Sequence, residues 1–266
     1  MQKSIQYRDQ LLVYEVEGTG LPVLLVHGFT EDRRIWDPVI DGIGNKYKWI
    51  IPDLPGSGYS TFNGSLISLK DFAESLKAIL DAERIPEAVL IGHSMGGYIS
   101  LAFAKKYPAY ILGLGLFHST SYADTAEKME SREKNIRFIL KNGSAPYIEQ
   151  AIPGLFTSDF QIKNPEIIQE MVERYANFLP DSLVLYLNAM KQREETTRVI
   201  MELTKPVLFI VGEEDKSVPV KDALEQCHIP RISYIHILTN TAHMGMIENS
   251  SLCNSYIDQF LIQFSN

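Results

Sequence analysis

Cysteine is nearly missing from this chain. Cys227 and Cys253 are the only two in 266 residues, too few and too far apart for a disulfide framework or a thiolate metal site, so both read as buried apolar residues of a reducing compartment. Cations are also in deficit. With 25 Lys and Arg against 33 Asp and Glu the net charge is −8, which argues against a surface built to neutralise a phosphate backbone, and no nucleic-acid partner is expected. No apolar run approaches the roughly 18 residues of a membrane span. The opening Met1-Gln2-Lys3-Ser4-Ile5-Gln6 has no apolar signal core, so a cytoplasmic protein is the expectation. There is no fixed-period repeat. The six histidines have no ligand spacing, and no Gly-rich dinucleotide or phosphate loop follows a strand pattern, so neither metal nor cofactor is expected.

What is present is a 45% hydrophobic chain long enough to bury one large domain, or one domain with an insertion. Leu21 to Val26, Lys48 to Ile51, Ala88 to Ile91, Ile111 to Phe117, Pro206 to Val211 and Ile232 to Leu238 are short runs rich in Val, Ile and Leu. Leu21 to Val26 and Ala88 to Ile91 are continuous apolar runs that suit strands buried on both faces. Helical patterns lie between several of them. Ser68 with Asp71 predicts a capped helix carrying Phe72, Leu76, Ile79 and Leu80 on one face, and Gly96 to Lys106 predicts a second, stopped before Pro108. Alternation of this kind predicts an α/β fold with a doubly wound, mostly parallel sheet. It breaks over 122–201, where only helical patterns occur, near 124–141, 145–152, 165–178 and 181–193. We expect a core of residues 1–121 and 202–266 with 122–201 inserted as a helical cap over the strand ends, where open α/β sheets bind ligands.

Gly92-His93-Ser94-Met95-Gly96 joins a buried-type strand to a small-residue helix, and glycines at both ends allow the sharp, strained turn that exposes a nucleophilic serine. The pentapeptide alone would arise by chance in about one chain in ten of this length; its strand–helix context is far rarer. A serine hydroxyl needs a base, and the base needs an orienting acid. Of the six histidines only His243 lies in a polar loop beyond a strand end and before the last helix. The loop Gly212 to Pro219 carries Glu213, Glu214 and Asp215 beyond another strand. Asp215 is the first choice of acid and Glu214 the reserve.

The order Ser94, Asp215, His243, together with His27-Gly28-Phe29, Asp53 to Gly58, Gly92 to Gly97 and Gly212 to Pro219, resembles the α/β-hydrolase fold family along nearly the whole chain. The resemblance implies an oxyanion hole of backbone N–H groups from Phe29 and Met95, while Asp53 and Ser57 are assigned to loop structure. It implies a carboxylesterase acting on a small-molecule acyl substrate. C–C bond hydrolases, lactonases, thioesterases and ligand receptors resemble the same pattern. Ser94 argues against haloalkane dehalogenases and epoxide hydrolases, which use Asp there, and Tyr98 against a menaquinone-pathway lyase, which usually has Arg. The apolar residues Tyr122, Met129, Phe138, Tyr147, Leu155, Phe156, Phe160, Met171, Tyr175, Phe178, Tyr186 and Met190 are expected to divide between packing on the core domain and lining the pocket above Ser94. Charges in Glu127 to Lys134 alternate in sign and read as a solvated helix face rather than an anion site, so a small, mostly apolar acyl group is expected.

Overall fold

A computed structural model of the chain describes residues 1–64 and 68–264. Eight strands form one sheet: β1 (Gln2–Tyr7), β2 (Gln10–Glu17), β3 (Pro22–Val26), β4 (Lys48–Pro52), β5 (Ala88–His93), β6 (Ile111–Phe117), β7 (Val207–Gly212) and β8 (Ser233–Leu238). Their order is β1-β2-β4-β3-β5-β6-β7-β8. From β4 onward neighbours are parallel, whereas β1–β2 and β2–β4 are antiparallel. β5 and β7 are buried at every position, as continuous apolar runs require when helices cover both faces. Each large aliphatic side chain so buried is worth about 1.5–3 kcal/mol.

The N-terminal hairpin is where sequence pattern and structure part. β1 alternates exposed and half-buried residues along its whole length, so it carries no continuous apolar run to announce it. It lies at the sheet edge and pairs with β2 alone. The helix predicted from Ser68 spans Leu69–Ala82 and begins with a reciprocal capping box between Ser68 and Asp71. Its apolar face, Phe72, Leu76, Ile79 and Leu80, is buried.

Between β6 and β7 the described chain has helices and no strand. The predicted helices lie at Ala126–Asn142, Ser144–Ala151, Pro165–Tyr175 and Pro180–Lys191, with shorter ones at Ser158–Lys163 and Thr197–Glu202. Tyr186 of this segment is fully buried and donates its hydroxyl to the carbonyl of Pro55 at 2.9 Å. Among the described residues no helix is long and apolar enough to cross a membrane.

Register decides what meets at the carboxyl ends of the strands. Val26 pairs with Gly92, His93 with Phe117, Phe117 with Ile210, and Gly212 with Leu238. The loops that follow β3, β5, β6, β7 and β8 therefore open side by side. Those loops carry Phe29, Ser94, His118, Asp215 and His243.

Candidate active site

Ser94 follows β5 directly and holds φ +51° and ψ −116°, a region that a residue with a Cβ occupies only under strain. The two flanking glycines are needed because the turn is so tight. A Cβ on Gly92 would sit 2.3 Å from the Gly96 backbone, and one on Gly96 would sit 2.1 Å from the carbonyl oxygen of Val26. The helix Met95–Lys106 starts at the next residue, which brings a helix N-terminus, with its unpaired N–H groups, to the serine.

His243 lies beyond β8 in a loop tied at several points. Its N–H donates to the carbonyl of Leu155 at 2.9 Å, and the Glu248 carboxylate accepts from Ala242 N (2.9 Å), Met244 N (3.3 Å) and Thr157 N (2.9 Å). Its Nδ1 is 2.7 Å from Oδ2 of Asp215. The other carboxylate oxygen, Oδ1, accepts from Ser217 N at 2.8 Å and Val218 N at 2.9 Å. Glu213 and Glu214 are exposed. Of the three acids in this loop, Asp215 is the one that meets the imidazole.

A second imidazole crowds the same carboxylate. His118, just past β6, places Nδ1 3.3 Å from Asp215 Oδ2 and accepts from Gly212 N at 3.2 Å. Burial pushes its pKa down to about 4 despite the neighbouring Asp215, so it is neutral near pH 7. Burial acts to raise the Asp215 carboxyl, yet the facing His243 and His118 outweigh it and hold Asp215 well below the usual carboxylate range. One ligand atom each from His118, Asp215 and His243 lies within 4.8 Å of the others. An ion among them would displace the proton that joins His243 to Asp215, so the cluster fits an oriented imidazole better than a metal.

Phe29 and Met95 flank the serine, and neither backbone N–H has a protein acceptor among the described residues. The loop carrying Phe29 is held by Glu31. That carboxylate accepts from Gly28 N at 2.6 Å and lies 3.0 Å from His93 Nδ1, while His93 Nε2 donates to the carbonyl of His243 at 2.9 Å. Burial raises the carboxyl and lowers the imidazole, but their mutual attraction reverses both shifts: Glu31 is lowered and His93 raised. This buried pair links the loops after β3, β5 and β8. Asp53 and Ser57 serve loop structure, the former accepting from Arg33 and Tyr59 and the latter bonded to His27 at 2.8 Å.

Ser94 and His243 line one cavity of about 180 Å³ with Phe29, Tyr147, Leu155 and Met190. No hydrogen bond joins Ser94 to His243 among the described residues. Catalytic contacts of this kind are often loose in a free enzyme and tighten around substrate. Arg132 and Asn135 also line the cavity. A larger void of about 470 Å³ lies beside it, with Tyr98 common to both, and does not include Ser94 or His243.

A family model described as the alpha/beta hydrolase fold matches residues 22–139. An esterase from Thermogutta terrifontis, solved with malate bound, superposes with TM-score 0.93 at 26% identity, covering 100% of both chains. The chain has the α/β-hydrolase fold. A pimeloyl-[acyl-carrier protein] methyl ester esterase of Legionella pneumophila is 25% identical over 92% of this chain and 96% of its own length. A 2-hydroxy-6-oxo-2,4-heptadienoate hydrolase of Pseudomonas putida is 24% identical over 92% of this chain and 90% of its own.

The sequence pattern picks out Ser94, Asp215 and His243 as candidates, but not the residues packed around them. Glu31, Glu248 and Arg132 are polar residues in loops or helices, and such residues normally face solvent. Only the spacing of Glu31, three residues past Gly28, offers a signal, since a carboxylate there can reach back to a backbone N–H as in a capping box. Arg132 departs from the solvated face expected of its stretch, because its guanidinium pairs with the buried carboxylate of Asp124 and lines the cavity.

Proposed function

We propose that this hydrolase is a serine esterase that cleaves a small, mostly apolar carboxylic ester through an acyl-enzyme on Ser94. The observation that carries this reading is the 2.7 Å hydrogen bond between His243 and Asp215, with His243 lining the same cavity as the strained Ser94. Ser94 Oγ attacks the ester carbonyl while His243 Nε2 takes the hydroxyl proton. Asp215 keeps the other imidazole proton on Nδ1 and stabilises the imidazolium. The negative charge on the carbonyl oxygen is met by the N–H groups of Phe29 and Met95. Collapse transfers the proton from Nε2 to the departing alcohol, and water, activated by the same nitrogen, releases the acid.

Residues 122–201 act in this scheme as a cap. Tyr147, Leu155, Leu187 and Met190 supply apolar wall above the serine, and 180 Å³ is below the 300–1,000 Å³ of sites for drug-sized ligands, which favours short acyl groups over lipid chains. A relative that is a methyl ester esterase and a structural neighbour that is an esterase support ester chemistry. The test is S94A. Its kcat on an activated ester should fall by roughly 10⁴–10⁶ with the fold intact, and a fluorophosphonate should label Ser94 in the native protein alone. Retention of more than a tenth of the activity sinks the assignment. A single labelled turnover without steady-state hydrolysis would instead favour a receptor.

A further inference from the structure

The cavity wall contains a cation with one face uncommitted. Arg132, on the helix Ala126–Asn142, gives Nε and Nη2 to the carboxylate of Asp124, whose side chain is fully buried. Arg193 gives Nη1 to the same carboxylate, so two guanidiniums share one anion. Arg193 does not line the cavity of Ser94, only the larger void beside it. Its Nε is taken by the carbonyl of Tyr122 at 2.9 Å, its plane lies 4.0 Å over the ring of Tyr98, and its side chain is 4% exposed. Arg132 Nη1, by contrast, has no acceptor among the described residues, and this arginine lines the same cavity as Ser94. Glu31, the carboxylate on that wall, has both oxygens engaged by Gly28 and His93.

A guanidinium only 18% exposed and paired on one face is costly unless something anionic completes it. Asp124 fixes its orientation, so little side-chain entropy is lost when a ligand arrives. We propose that Arg132 binds a carboxylate of the substrate, remote from the scissile ester, so that the preferred substrates are half-esters of short dicarboxylic acids. This rests on the serine-esterase reading and narrows it: the acyl group is small and mostly methylene, with one negative charge at its far end. One free guanidinium nitrogen and a cavity of 180 Å³ suit a single carboxylate and not a phosphate dianion, which would need more donors.

Binding and turnover test the two readings separately. In S94A protein, calorimetry with monomethyl glutarate and with methyl pentanoate compares two esters of similar length that differ in the terminal charge. The half-ester should bind at least about tenfold more tightly, as expected for a hydrogen bond to a charged group. Adding R132Q should remove most of that advantage. Equal affinities in S94A overturn the carboxylate site whatever the native protein hydrolyses, while a preserved preference without Ser94-dependent turnover overturns the esterase reading alone. If R132Q does not fold with only Arg193 on Asp124, R132K and the native ratio of kcat/KM for the two esters carry the test. A native ratio near one refutes the proposal.

Discussion

Asp215→Asn has an outcome that follows from how the carboxylate is held. Oδ1 accepts two backbone hydrogen bonds, from Ser217 N at 2.8 Å and Val218 N at 2.9 Å. Both partners are donors, so an asparagine can satisfy them only with its carbonyl oxygen. The amide nitrogen must then occupy the place of Oδ2, 2.7 Å from His243 Nδ1. A donor in that place requires an unprotonated Nδ1, and the single proton of the neutral imidazole moves to Nε2. The ring then has no lone pair for the serine proton. Packing is unchanged, because Asn and Asp are nearly isosteric. We therefore expect kcat to fall by roughly 10⁴, about 5.4 kcal/mol on the barrier at 1.36 kcal/mol per tenfold. KM should change little, since Asp215 is not part of the cavity wall. Steady-state hydrolysis of p-nitrophenyl acetate measures both constants, with S94A as the background, and nitrogen-15 NMR of the ring reads the tautomer. Glu214→Gln, at an exposed position, should stay within about twofold of the native protein, as surface substitutions usually do. A D215N protein keeping more than a tenth of kcat, or an E214Q protein losing as much, would refute the reasoning.

Two further expectations concern stability. His118 has its folded pKa lowered to about 4 from an unfolded value near 6.5, so the unfolded chain takes up a proton that the folded chain refuses. Its contribution is complete above pH 6.5 and drains as pH falls toward 4, by about 2 kcal/mol between pH 6.5 and 5; His118→Asn, which tolerates the φ of +48°, should remove about that much of the pH slope in urea unfolding, and an unaltered slope would contradict it. Ser68→Ala breaks the capping box at the start of Leu69–Ala82 and should cost about 1 kcal/mol, read as a lower urea midpoint with activity retained.

The strands β3 to β7 are legible in the sequence because burial on both faces demands uninterrupted Val, Ile and Leu, and the elbow is legible because a turn that leaves about 2 Å for a Cβ at positions 92 and 96 admits only glycine. His243 and Asp215 could be picked out by their positions in loops beyond strand ends. Whether Asp215 or Glu214 meets the imidazole could not, since adjacent acids in one loop differ only in which way the folded backbone turns them. β1 carries no such apolar run because half its residues face water at the sheet edge. Glu31, for which the spacing from Gly28 is a partial signal, and His118, Glu248 and Arg132, which have none, take their partners from the tertiary structure. Their partners are His93, Asp215, Thr157 and Asp124, and three of these pairs join separate loops or elements. Periodicity and spacing report which face of a local element is apolar; a buried polar contact between distant elements leaves no trace in either, because it exists only once the sheet register has brought those elements together.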